Sequence, residues 1–161
     1  MPSSALRAAD QAGLRYRVIN HGPVGSLPEA ARARGVEPAD VVKTIVVRRS
    51  GTDEFLFVLI PGDRTISWPK LRTLLKVSRL SLPEPAVARN ATGYEPGTIT
   101  PFGSREPWPV VADERIAGRE ITLGAGEPGV AIVASADDII DALGARLADV
   151  SQPGNSAEMP A

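Results

Sequence analysis

Lys43 stands inside Val41-Val42-Lys43-Thr44-Ile45-Val46-Val47, a run that is β-branched almost throughout. Period-2 alternation puts it on the same face as Ile45 and Val47. A lysine so placed either lays its stem along apolar surface and keeps its head wet, or turns its ammonium into a pocket. In a pocket it holds an anionic or carbonyl oxygen, and burial pushes its pKa down. A strand-edge lysine with an exposed head is the plainer alternative. The long run of buried residue types around Lys43 weakens that alternative.

The second feature is Gly97-Thr98-Ile99-Thr100-Pro101, inside a loop over 92–109 that carries four prolines and three glycines. Gly97 lets the backbone approach a ligand closely, Pro101 stiffens the loop, and the N–H groups between them can point at one oxygen or amine. A structural Ω-loop would use the same turn residues. Loops of this length without secondary structure are uncommon in small domains and are often functional.

Other candidates are weaker. Asp113, just beyond a strand end, could orient a lysine or a ligand amine, although a lone acidic turn residue is more often a cap. His21, before Gly22-Pro23, fits the rim of a pocket. Gly124-Ala125-Gly126-Glu127-Pro128-Gly129 matches G-x-G-x-x-G, but a strand follows it where the dinucleotide motif requires a phosphate-facing helix. It reads as a Gly-rich hairpin loop able to line a site. Between Arg64 and Arg79, the basic residues Arg64, Lys70, Arg72, Lys76 and Arg79 occur with no acidic residue, and Arg48 and Arg49 close the lysine strand. Such a patch suits phosphate backbones, or is an ordinary solvated helix face.

These residues must be positioned by an alternation of short elements. A helix is expected over 3–13, a strand over 14–19, and a helix entered through a Ser26/Glu29 capping box and stopped by Gly35. Two largely buried strands, 41–47 and 55–60, form a hairpin around Ser50-Gly51-Thr52-Asp53. Pro61-Gly62-Asp63 ends it, and a helix runs from Trp68 to Lys76. A short strand at Leu80 and Leu82, a helix over 84–90, and strands over 110–112, 120–123 and 130–134 follow. A helix capped by Ser135 and Asp138 ends at Gly144. The expected fold is α+β: one domain over 1–150 with a curved, mixed, barrel-like sheet flanked by helices. Residues 151–161 are expected to be a disordered tail.

Composition bounds the chemistry. The 161 residues are 43% hydrophobic, ordinary for one globular domain. No stretch approaches the ~20 apolar residues of a membrane span, and the first residues lack the apolar run of a secretory signal, so a soluble cytoplasmic protein is expected. With no cysteine and one histidine, thiolate nucleophiles, disulfides and multi-Cys or multi-His metal centres are excluded. No Asp/Glu cluster suggests magnesium, and no cofactor is expected. No Gly-x-Ser-x-Gly nucleophile elbow occurs. A net charge of −1 argues against broad non-specific nucleic-acid binding, so a polyanionic partner would have to meet a local basic patch.

In one order from about Leu6 to Val150, the chain resembles the YbaK/EbsC family, the domain also found inserted in bacterial prolyl-tRNA synthetases. The resemblance rests on the strand ending near His21, Val-Val-Lys-Thr-Ile-Val-Val around Lys43, Val-Leu-Ile-Pro-Gly-Asp-Arg, Thr-Gly-Tyr-Glu-Pro-Gly-Thr-Ile-Thr-Pro-Phe-Gly at 92–103, Asp113, and Gly-Ala-Gly at 124–126. It implies a deacylase that hydrolyses the ester of mischarged tRNA in trans. The substrate it implies is tRNA(Pro) carrying cysteine or another small amino acid, and prolyl-tRNA synthetase is a possible partner.

By that resemblance, Lys43 and Gly97 are the expected catalytic residues. His21, Tyr94, Thr98, Ile99, Thr100, Pro101, Asp113, Gly124 and Gly126 are expected around the substrate. Arg48, Arg64, Lys70, Arg72 and Lys76 are expected on the tRNA backbone. Glu127-Pro128-Gly129 stands where some members carry a histidine, which looks closer to the cysteinyl-tRNA(Pro) deacylase branch than to the alanyl-specific one. An aminoacyl ester is already activated, so positioning a water, a tRNA hydroxyl or a substrate thiol while stabilising the oxyanion could suffice. A non-catalytic tRNA- or nucleotide-binding module, a hydrolase of other acyl esters, and a synthetase accessory subunit are the competing functions.

Overall fold

The computed structural model describes residues 3–22 and 24–154. The chain begins with α1 (Ser4–Gln11), started by Ser3, whose hydroxyl accepts the Leu6 N–H. Strand β1 (Arg17–Asn20) follows, then α2 (Leu27–Arg34). Ser26 accepts the Glu29 N–H, and Glu29 reaches back to the Gly25 N–H, one residue earlier than a standard capping box. Gly35 closes α2 in the left-handed conformation, at φ 72°.

The hairpin expected around Ser50 is β2 (Val42–Arg49) and β3 (Phe55–Pro61), paired antiparallel from Val42↔Pro61 to Arg48↔Phe55. Then come β4 (Arg64–Ile66), α3 (Trp68–Leu75), β5 (Leu80–Ser81), α4 (Pro85–Thr92), β6 (Val110–Asp113), β7 (Glu120–Gly124), β8 (Val130–Ser135), α5 (Ala136–Leu143), β9 (Arg146–Ala148) and β10 (Ser151–Pro153).

The largest sheet has the order β5-β2-β3-β6-β9, with β3-β6 and β6-β9 parallel and the other pairs antiparallel. Every residue of β3 is buried, as a continuous apolar run requires when both faces are covered. On one face Phe57 and Leu59 join Val42, Val46, Val110 and Ala112 with the packed sides of α1 and α5. On the other, Leu56, Val58 and Ile60 join Val47, Val111 and Leu71 of α3. A second sheet, β1-β8-β7, is antiparallel and meets the first through one parallel bridge, Val41↔Thr122. The sheets therefore wrap one core without closing into a barrel. The architecture is α+β, mixed and single-domain, as expected.

Three short strands, β4, β9 and β10, lie where none is expected; β9 extends the large sheet beside β6. β4 follows the Pro61-Gly62-Asp63 break and pairs with β10. The pairing Ser151↔Ile66 to Pro153↔Arg64 thus corrects the start of the tail: the chain is ordered through β10. The remainder of the expected tail, 155–161, lies outside the described residues. Gly62 makes the turn between β3 and β4 possible by close approach. A methyl there would fall 2.6 Å from the carbonyl oxygens of Pro38 and Val41.

One feature of the large sheet creates the site. β2 pairs with β3 along its length, but with β5 only at Arg48 and Arg49. From Lys43 to Val47 its second edge has no strand partner among the described residues.

Candidate active site

A cavity of about 740 Å³ opens along that edge, lined by successive residues Val41 to Val46 of the strand. Lys43 shares a face with Ile45 and Val47, which pack on the α3 side of the sheet. Its ammonium donates to the carbonyl of Arg64 in β4. Burial lowers the Lys43 pKa from the usual lysine value, and the nearby Asp63 carboxylate partly offsets this. One oxygen of Asp63 is buried with no hydrogen-bond partner among the described residues.

Across the cavity lie Gly97 and Ile99 of the long loop and Gly124 of β7. Gly97 is exposed at φ 90°, a conformation that favours glycine. The loop is fixed by its buried members. Thr98 turns back on Glu95, with its N–H (3.0 Å) and its hydroxyl (2.8 Å) both donating to the Glu95 carbonyl. The Thr98 carbonyl accepts the Gly126 N–H at 3.0 Å, docking the loop on the Gly-rich hairpin. Tyr94 packs behind, its hydroxyl donating to the Phe102 carbonyl at 2.7 Å. Thr100 and Pro101 are buried beneath.

The expected site residues therefore separate into groups. Lys43, Gly97, Ile99 and Gly124 line one cavity. Tyr94, Thr98, Thr100, Pro101 and Gly126 hold the loop and hairpin in place and do not line it. Asp113 is placed elsewhere. Its fully buried carboxylate accepts the Val150 N–H at 3.1 Å, pairs with Arg115 at 3.2 Å, and caps the turn over 114–116. It belongs to the packing between β6 and the C-terminal segment, so its expected role at the substrate is corrected to a structural one.

Arg34, the last residue of α2, is a cavity residue that is absent from the candidates its sequence position suggests. It lines the cavity beside Val41 and Val42. Its Nε donates to His21 Nε2 at 3.3 Å and its Nη1 to the buried Thr122 hydroxyl at 3.0 Å. His21 thus stands behind the wall as a support for Arg34. Burial lowers the Arg34 pKa from its usual value. A position in the last turn of a short helix gives no signal of this, because the cavity exists only once β7 is packed against Val41.

Of the basic residues, Arg48 pairs with Asp53 at 3.2 Å, Arg64 donates to Ser151 Oγ at 2.7 Å, and Lys70 pairs with Asp149 at 3.0 Å. Arg72 and Lys76 make no ion pair among the described residues. Lys76 is exposed and ends α3 at φ 57°.

Residues 21–142 match the family model described as the aminoacyl-tRNA editing domain. The chain belongs to this family. The editing-domain match takes in β2, the long loop and the Gly-rich hairpin. Over 107 residues, 66% of this chain, the editing domain is 28% identical to the proline–tRNA ligase of Bacillus licheniformis, of which the matched region is 18%. The chain therefore spans under a fifth of that ligase. Among solved structures it is similar to the hypothetical protein APE2540, with TM-score 0.85 and 26% identity over 93% of this chain and 100% of the other. It is also similar to a candidate trans-editing enzyme for prolyl tRNA synthetase, with TM-score 0.83 and 26% identity over 94% of this chain and 99% of that one.

Proposed function

We propose that this editing domain is a free-standing aminoacyl-tRNA deacylase acting in trans, on tRNA(Pro) carrying cysteine or another small amino acid. The observation that carries the reading is that Lys43 and the Gly97 loop line the same cavity. The ester carbonyl sits between them. Water attacks the carbonyl carbon, with a tRNA hydroxyl able to orient it, or the substrate's own thiol attacks; either forms a tetrahedral oxyanion. Its collapse breaks the bond to the ribose oxygen, which takes up the proton lost by the nucleophile, and releases the free amino acid or its thiolactone.

The Lys43 ammonium, anchored on the Arg64 carbonyl, brings positive charge to the developing oxyanion, and a preorganised charge is most effective in a partly desolvated site. The backbone near Gly97 fixes the terminal nucleotide. The ester is intrinsically labile, so orientation and charge stabilisation suffice without a protein nucleophile. Arg72 and Lys76, with Lys70, meet the phosphate backbone, giving salt-dependent binding.

The test is amino-acid release from Cys-, Ala-, Ser- and Pro-tRNA(Pro) under enzyme excess. Release of a small non-cognate amino acid, with Pro-tRNA(Pro) spared, supports the reading. Tight tRNA binding with no release would make the protein a binding module instead. A requirement for added prolyl-tRNA synthetase would make it an accessory subunit.

A further inference from the structure

We infer that Arg34 forms an anion subsite within the cavity, reading an anionic oxygen on the aminoacyl-nucleotide end. This inference rests on the deacylase reading for its ligand, but not for its geometry. A guanidinium withdrawn from water is costly unless a counter-charge or a full set of hydrogen bonds compensates it. Arg34 makes no ion pair among the described residues; its two protein partners, His21 Nε2 and Thr122 Oγ1, are neutral acceptors. His21 must be neutral to accept at Nε2, so it adds no charge of either sign. The contrast with Lys43 is direct, since that cation has Asp63 close enough to favour its charged form.

The two protein contacts also aim the group. Nε and Nη1 are occupied on the side of β7 and His21, which holds the guanidinium plane at the cavity wall. The unused N–H donors of the fork are left for a ligand, and a fork of this shape matches a phosphate or a carboxylate. Thr122 and Gly124 lie on the same face of β7 by strand alternation, so the subsite adjoins the position where Gly124 opens the cavity. Two sources offer the required oxygen: the 5′-phosphate of the terminal nucleotide, or a carboxylate on the amino-acid side chain.

The experiment uses non-hydrolysable 3′-aminoacylamido-adenosine probes in four forms, alanyl or aspartyl, each with and without the 5′-phosphate. Binding to native protein, Arg34→Gln and Arg34→Lys is measured by calorimetry. One anionic feature is expected to tighten binding to native protein by about tenfold to a hundredfold, the range of a charge-assisted hydrogen bond. Arg34→Gln should erase that gain while binding the uncharged probe as before, and Arg34→Lys should keep part of it. A gain from phosphate alone assigns the nucleotide; a gain from aspartyl alone assigns the side chain. The inference is overturned if neither feature tightens binding to native protein, or if the gain persists in Arg34→Gln.

Thermal unfolding of both variants identifies loss by misfolding, and Arg34→Lys, which keeps the charge, then decides the question. Anion-dependent binding without hydrolysis of any charged tRNA would remove the deacylase reading and leave this subsite standing. Hydrolysis without anion-dependent binding would do the reverse.

Discussion

Gly126 lies so close to Tyr94 that a methyl on its Cα would fall 2.6 Å from the ring carbon Cε1. At φ 85° the same residue already occupies a conformation that disfavours side chains. Gly126→Ala should therefore destabilise the protein by about 2–4 kcal/mol, combining backbone strain with a steric clash. Gly124 is different. A methyl there meets the Thr98 carbonyl oxygen at 3.5 Å, an ordinary contact, at a residue that lines the cavity. Gly124→Ala should leave the unfolding midpoint within a degree or two of native while altering substrate selectivity by about the 1–3 kcal/mol of a methyl-scale change. Denaturant unfolding and a substrate panel separate the two.

Asp113 tests the corrected part of the site. Asp113→Ala leaves Arg115 without its buried partner and the Val150 N–H without its acceptor. Arg115 is itself exposed and keeps Asp149 at 2.7 Å, so the expected loss is about 1–3 kcal/mol, the cost of leaving the buried Val150 donor unsatisfied. Deacylation per folded molecule should be unchanged. A selective loss of turnover in a stable variant would return Asp113 to the substrate.

The pH dependence follows from the direction of the Lys43 shift. Burial makes its ammonium a stronger acid than an ordinary lysine, so its charge is lost earlier as pH rises. After subtraction of spontaneous hydrolysis, enzymatic deacylation should fall on an alkaline limb lying below the usual lysine range. Asp63 opposes the shift, so Asp63→Asn should move that limb to still lower pH. For stability the sign is opposite. The unfolded chain binds the Lys43 proton more tightly, so this group's contribution to stability rises with pH between the folded and unfolded values. An alkaline limb unmoved by Asp63→Asn would remove Lys43 from the profile.

Much of this was legible in the sequence because local signals agreed with the final packing. The β-branched run around Lys43 predicted a strand with the lysine on the Ile45 and Val47 face, and Ile45 and Val47 do share one core. Ser26, Ser67 and Ser135 each cap a helix, and Gly35 and Gly144 each close one. What could not be read were consequences of pairing across the chain. β4 and β10 are three residues each, and neither forms without the other. Asp113 read as a site residue because its partners, Arg115 and Val150, meet it only in the folded chain. Arg34 was silent for the same reason, since Thr122, its partner, lies 88 residues away.

The most direct measurement is single-turnover deacylation of mischarged tRNA(Pro) by native protein and by Lys43→Met, with thermal unfolding of both. Methionine fills the lysine stem's volume without its partly buried charge, so stability should stay within about 1 kcal/mol of native or rise. The rate should fall by about a hundredfold or more, the scale of losing one oxyanion donor. An equally stable Lys43→Met protein that deacylates at the native rate would contradict the account, because the cation in this cavity would then have no part in the chemistry.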